Sequence, residues 1–456
     1  MEVNIVPKFG SRHVQAILLF FLLVNTHTTR SNLSLAIVAM TDRNATRNPD
    51  VSVYDWDNTN IILSSFGWTY MVLQLFSGYF FKKFGVKWTL FTAMLLNSII
   101  FMLIPQAAWW LGSTGVIICT LAQGFFQGFC LPCCQSALGR WAPVSERSLL
   151  SMVAYSGTNT GNLIAMVVSG YIASSWVGWP FSFYVFGACS VLWCVIWAIF
   201  SYDSPSEHPT ISPVERRYIE HSLSEQENEP KKIVHIPLKA IFTSLPFWAL
   251  VVANAGNSWG DTLVQADVPT YLNKVLKFDI KLNGIVSALP QIIQLFVVVI
   301  LGPISDYIVE KKFVTLTQSR KLAQILGSVI PSGLLIWLAF VAENQKTLAV
   351  CLMNISLGFL AVEQYGSLIN HIDISPKYAG VLLSIENSIS TVVSLSAPLF
   401  VQYFVTDLTD PTLWRYVFLI FSLVTLSTAI FFTTFGSAEV QWWNNSENNY
   451  KSRNVI

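Results

Sequence analysis

The sequence predicts an all-α polytopic membrane protein, with twelve transmembrane helices in two six-helix halves. Three observations predict it. The 456 residues are 53% hydrophobic and only 12% charged, against about 25% charged in a soluble domain. Runs of predominantly apolar residues recur at the length of about twenty that a helix needs to cross a bilayer. The longest polar stretch, 202–245, divides those runs six and six.

In order, the spans are 14–40, 59–81, 88–106, 112–138, 148–173, 181–201, 246–271, 282–306, 321–342, 347–371, 379–405 and 415–436. The first run is too long for the h-region of a signal peptide and lacks a small-residue cleavage site, so it is read as a span. With both termini in the cytoplasm, nineteen of the 27 Lys and Arg fall on the cytoplasmic side and seven outside. That asymmetry fixes the orientation. The halves are then 1–201 and 246–436, joined by the cytoplasmic loop 202–245 and followed by a cytoplasmic tail, 437–456. The loop after the first span carries Asn44-Ala45-Thr46, a glycosylation sequon that needs a luminal or extracellular address. In the central loop, Ser212-Pro213-Val214-Glu215 reads as a serine cap, a proline at the first helical position and a capping-box glutamate. Ile219 and Leu223, four apart, give that short helix an apolar side.

Among the Lys and Arg, only Arg30 falls in the interior of a span, inside the polar cluster Asn25 to Asn32. An arginine at such depth costs roughly 2.5–3.5 kcal/mol on insertion scales. Either it pairs with a carboxylate of another helix, or it is a fixed positive charge that holds an anionic substrate. Four carboxylates also lie within spans: Asp261 and Asp267 in the seventh, Glu363 in the tenth and Glu386 in the eleventh. At 1.5 Å per residue Asp261 is roughly 24 Å from the start of its span, and Glu386 roughly 11 Å. Each could balance Arg30, bind sodium through hard oxygen ligands, carry a proton, or serve only as a structural salt bridge. Gly157-Thr158-Asn159-Thr160-Gly161 has the small-xxx-small spacing of close helix contact. His27, one turn from Arg30, reads as a hydrogen-bonded structural residue, and His371 as a helix cap or gate contact.

Several functions are excluded. The net charge of +1 and the lack of a basic patch argue against nucleic acid. All seven cysteines lie in apolar runs, against a disulfide framework. The Cys130-Leu131-Pro132-Cys133-Cys134 run has no nearby histidine, so no metal or cofactor is expected beyond a coupling ion. No nucleophile–base set or phosphate loop marks an enzyme.

Twelve spans split by a central loop is the major facilitator layout. Gly78-Tyr79-Phe80-Phe81-Lys82-Lys83-Phe84-Gly85-Val86-Lys87 and Gly302-Pro303-Ile304-Ser305-Asp306 resemble its repeated cytoplasmic loop. Lys82 stands where an aspartate is common, which weakens the first copy. From Trp141-Ala142-Pro143-Val144-Ser145-Glu146-Arg147-Ser148 the chain resembles a narrower family, the anion transporters that include sialin, the vesicular glutamate transporters and the type I sodium–phosphate cotransporters. The likeness continues at Arg30-Ser31-Asn32-Leu33, Ser64-Ser65-Phe66, Trp68, Tyr70, Gln74, Gly178-Trp179-Pro180-Phe181, Ser244-Leu245-Pro246-Phe247-Trp248, Pro269-Thr270-Tyr271 and Asn370-His371-Ile372-Asp373. It spans about residues 14–443 and is strongest toward insect inorganic phosphate cotransporters.

The resemblance implies a secondary active anion carrier working by alternating access, with Arg30, Tyr70 and Gln127 on the substrate. The ion-coupling candidates are Asp261, Asp267, Glu363, Glu386 and Asn387, the last matching a family asparagine. Gly78, Lys83, Gly85, Lys87, Asp306, Glu146 and Arg147 would form the cytoplasmic gate. Proton-coupled sialin-like members carry an arginine, a Gly-Glu-Gly and a histidine in span four; here those places read Thr120, Gln127 and Gln135. Glutamine cannot titrate, so the sequence leans to sodium-coupled phosphate or organic-anion symport. The alternatives are a proton-coupled or potential-driven organic-anion carrier and a non-transporting anion sensor. The expected partners are a small anion and the bilayer, for a monomer in the plasma membrane.

Overall fold

The computed structural model describes the backbone of residues 9–46, 48–143, 146–227, 237–342, 344–375 and 378–445. Every regular element among them is helical: α1 (Ser11–Met40), α2 (Thr59–Phe84), α3 (Val86–Gln127), α4 (Cys130–Trp141), α5 (Arg147–Ala173), α6 (Pro180–Phe200), α7 (Pro213–Glu227), α8 (Leu238–Phe242), α9 (Leu245–Lys274), α10 (Ile280–Glu310), α11 (Leu316–Leu338), α12 (Lys346–Phe359), α13 (Asn370–Ile374), α14 (Ala379–Ser394), α15 (Ser396–Phe404) and α16 (Pro411–Phe435). Twelve spans are accounted for: α3 with α4 makes two, α12 with α13 one, and α14 with α15 one. Among the described residues six segments, Pro180–Phe200 and Pro411–Phe435 included, are long and apolar enough by composition alone to cross a membrane. The helices α1 and α9 are not in that set, because polar residues occupy their middles.

The spans are less even than the apolar runs suggest. The third continues to a turn at Gly112, whose φ of 60° lies in the left-handed region, so the expected loop after residue 106 is helical instead. The fourth is interrupted at Gly128 and Phe129. A Cβ on Gly128 would meet the Leu73 side chain and the Tyr70 carbonyl of α2, so the helix backbone is drawn against α2 there. The tenth stops at Phe359, runs as a 3-10 segment over Leu360–Tyr365 and resumes at Asn370.

The chain folds as two compact units, Met1–Val234 with Asp279–Ile285, and His235–Phe278 with Val286–Ile456. In the first unit, α1 packs on α5 as the glycine spacing predicts. A Cβ on Gly157 or Gly161 would strike the carbonyls of Phe20 and Val24. The polar cluster of α1 is largely absorbed by interhelical bonds, since apolar surface alone does not hold helices together in lipid. Ser31 donates to Asn162 at 2.6 Å, Ser169 to Asn32 at 2.6 Å, Thr28 to the Gly161 carbonyl at 3.2 Å, and Ser190 to Asn25 at 3.0 Å.

At the end of this unit where α1 begins, α7 is capped as its sequence predicts, with Ser212 Oγ accepting from the Glu215 amide at 3.1 Å. The Glu215 carboxylate does other work than the expected capping box. It takes the Ser11 and Arg12 amides at 3.0 and 3.2 Å and Arg12 Nη1 at 2.9 Å. A charged donor outcompetes a backbone amide for a carboxylate. Arg12 Nε also pairs with Glu146 at 2.7 Å, and the Tyr218 hydroxyl donates to Glu146 at 3.3 Å. The Arg12 hydrogen bond holds the Glu146 carboxyl below the usual carboxylate range. That contribution to stability is present above the ordinary carboxylate pKa and is lost as pH falls through the lowered folded value.

Asp203, directly after α6, caps α3. Its carboxylate accepts from the Val86 amide at 2.6 Å and the Lys87 amide at 2.9 Å, satisfying two donors that a helix start leaves open. Gly85, with φ of 77°, makes the turn, and a Cβ there would meet Asp203. Asp203→Ala is expected to cost about 1 kcal/mol, as for other lost caps, read as a lower thermal midpoint and faster amide exchange at 86–89.

The second unit has its core between α9, α11, α12, α15 and α16, around Trp259, Tyr271, Trp414 and Phe421. The first residues of the tail are docked on it: Trp443 is fully buried, and Ser375 donates to Asn444 at 2.7 Å.

Candidate functional site

The first unit places Arg30 in the middle of α1, exposed, with Cζ 5.0 Å from the centre of the Phe66 ring of α2. Phe66 in turn stacks on Tyr70, centroids 5.4 Å apart, and the Tyr70 hydroxyl is within electrostatic reach of the guanidinium. The Arg30 neighbours Thr29 and Ser31 are buried, so their side chains face the helix seams while Arg30 does not. Among the described residues no carboxylate pairs with Arg30; the ion pairs present join other groups. A guanidinium resting on an aromatic face keeps its hydrogen-bonding rim for a carboxylate or phosphate.

Gln127 lies beside this group but faces inward. It is 3% exposed, and Nε2 donates to Thr29 at 3.0 Å and Asn97 at 3.2 Å, tying α3 to α1. Thr120 is fully buried against Ser65, oxygens 2.6 Å apart. Gln135 is exposed on α4. His27 has an Nδ1 without a hydrogen bond, and so has His371.

The second unit holds the four span carboxylates, and they differ. Asp267 and Glu386 are fully buried, with all four oxygens lacking a hydrogen bond; an ionised carboxylate in either place would have no partner. Asp261 is exposed, and Asn387 half-buried. Glu363 sits in the 3-10 break, 1% exposed, bonded to the Ser328 hydroxyl of α11, with Asp261 close enough to repel it. Around the break, Gln324 Oε1 accepts from the Ser367 amide at 3.2 Å and Asn254 Oδ1 from the Ser367 hydroxyl at 3.2 Å. Arg320 bridges the break, donating to the Tyr365 carbonyl at 3.2 Å and pairing with Asp373 of α13 at 2.7 Å.

Of the expected gate residues, Lys83 is exposed, Lys87 rests its Nζ 4.6 Å from the Tyr202 ring, and Glu146 is held by Arg12. Arg147 has a buried Nε with no hydrogen bond. Gly78 and Lys82 lie in α2 and Asp306 in α10, where only the backbone is described. Asn44 is exposed, and the sequon's Thr46 donates to the Ser175 carbonyl at 2.8 Å. Sequence reasoning missed Asp203, Asn97 and the Gln324–Ser328 pair. Only the last left a signal, two polar residues four apart in an apolar run.

Residues 19–385 match the Major Facilitator Superfamily profile. The chain is 32% identical to a Drosophila melanogaster protein described as "Putative inorganic phosphate cotransporter", over 96% of this chain and 87% of that one. It is 34% identical to vesicular glutamate transporter 1 of Bos taurus, over 91% and 75%. Among solved structures it superposes on a bacterial homologue of the human lysosomal transporter Spinster, with a TM-score of 0.70 at 12% identity, covering 93% of this chain and 96% of that one. The xylose transporter XylE from E. coli gives 0.68 at 14% identity, over 92% and 95%. These two structures show the fold alone. Fold, helix count and sequence relatives agree: the chain belongs to the Major Facilitator Superfamily, in the family of the phosphate cotransporters and vesicular glutamate transporters, and is a membrane transporter, not an enzyme.

Proposed function

We propose that this transporter carries a small anion, phosphate or an organic carboxylate, together with a cation. The observation that carries the reading is Arg30: a lone span arginine, exposed over Phe66 and unclaimed by any described carboxylate. Two parallel N–H donors on one plane suit phosphate and carboxylate oxygens alike. The names of the relatives, phosphate and glutamate transporters, support the same anion class.

Tyr70 is the second anion contact, since it lies beside Arg30. Gln127 acts indirectly, by holding Thr29 and so the helix turn that presents Arg30. Coupling falls to the carboxylates of the second unit, because α3 and α4 offer Thr120, Gln127 and Gln135 where a proton relay would need titratable groups. That absence removes a proton relay in span four and leaves the coupling ion, sodium or a proton, to those carboxylates. Lysine and arginine counts put both termini in the cytoplasm, and the plasma membrane is the proposed location.

The test is uptake of radiolabelled phosphate, glutamate and sialate by intact expressing cells and by proteoliposomes, with sodium and proton gradients imposed separately. Concentrative uptake of at least one of these anions is expected. Binding without uptake in sealed vesicles would make the chain a sensor and end the carrier reading.

A further inference from the structure

The break in the tenth span has a hydrogen-bond pattern that one proton too few cannot satisfy. Ser328 has a single hydroxyl hydrogen. Its Oγ lies within donor reach of two acceptors, the Gln324 carbonyl at 2.8 Å and Glu363 Oε1. If the hydroxyl serves the carbonyl, the close contact with Glu363 needs a hydrogen from the carboxyl side. Gln324 lies against the same carboxyl, and its Nε2, on a residue with no exposed surface, is left without a fully formed hydrogen bond. A buried acid, a shared hydroxyl and the Gln324 amide therefore meet at one point.

The charge around this point has one sign. Asp261 of α9 is the titratable group that faces Glu363. Against the break α10 presents Ile293, Val297 and Leu301, all apolar. Arg320, the cation that bridges the break, is engaged by the Tyr365 carbonyl and Asp373. Two carboxylates side by side cannot both stay ionised at low cost. Protonating one of them removes that repulsion without adding an ion, and the Ser328 hydroxyl, shared between two acceptors, leaves a hydrogen for the carboxyl to supply.

We propose that Glu363, positioned by Ser328 and Gln324 and paired with Asp261, takes up and releases the proton that accompanies the anion. The discontinuous helix provides the place, as broken helices do for coupling ions in other carriers. This rests on the reading of the chain as a cation-coupled anion carrier and gives the proton the role that span four's glutamines leave open.

The test compares wild type with Glu363→Gln, Asp261→Asn and Ser328→Ala in proteoliposomes, using the anion that wild type accumulates. Wild type should accumulate anion under an inward proton gradient without sodium, with acidification of the lumen read by a trapped dye. Glu363→Gln should lose accumulation driven by the proton gradient. Asp261→Asn and Ser328→Ala, which alter its surroundings and not the acid itself, should shift the pH of half-maximal uptake. Should Glu363→Gln not reach the membrane, those two pH profiles decide. Wild-type accumulation that needs sodium and ignores pH would overturn the assignment while leaving the carrier reading intact, as would unshifted profiles in both neighbouring variants. No uptake of any anion by wild type would instead remove the carrier reading beneath it.

Discussion

Arg30→Gln should abolish anion uptake while the protein still reaches the membrane. Hydrogen bonds to a charged group contribute about 1.5–3 kcal/mol each. Losing a bidentate pair therefore removes about 3–6 kcal/mol, roughly a 10²–10⁴-fold loss of affinity at 1.4 kcal/mol per decade. The neutral amide is also easier to place at that depth than a guanidinium, so folding has no reason to suffer. Arg30→Lys keeps the charge and loses the planar fork, and should fall between the two. Surface biotinylation alongside uptake separates transport from trafficking. Wild-type uptake by Arg30→Gln at normal expression would rule out the anion role.

The second large effect is on stability. Arg12 is 3% exposed and faces Glu215, 2% exposed, and Glu146. Arg12→Met leaves the Glu215 carboxylate buried without its cation, a change that costs about 3–5 kcal/mol in other buried pairs. Replacing both partners removes the stranded charge, so Arg12→Met with Glu215→Leu should recover most of the loss. The comparison is a double-mutant cycle, read from thermal midpoints of purified protein at neutral pH. A double variant no more stable than Arg12→Met alone would show that the pair is not what anchors α7 to the start of α1. Glu215→Leu alone is expected to do less damage, because Arg12 keeps Glu146.

Most of the architecture could be read from the chain because a bilayer enforces length and polarity together. Span count, the cap at Ser212 and the glycine seam at Gly157 and Gly161 each follow from a local rule. The interruptions do not, because they depend on what a second helix brings to the same place. Gly128 breaks the fourth span against the backbone of α2, and nothing in Gln127-Gly128-Phe129 announces that contact. The candidate site divides the same way. Arg30 stands out as a lone charge, whereas Gln127 reads as a substrate contact in the sequence and in the fold donates to Thr29 and Asn97. The acids at 261, 267, 363 and 386 are indistinguishable by residue type. Only their surroundings separate an exposed group, two orphaned ones and one bonded to Ser328.

Arg320 gives the broken tenth span an unexpected mechanical character. By gripping the Tyr365 carbonyl and Asp373 at once, it works as a splint across the gap between the 3-10 turn and α13. A splint of this kind ties the two ends of the fracture to one side chain, so the gap is spanned by a charged fork where helical hydrogen bonds are missing.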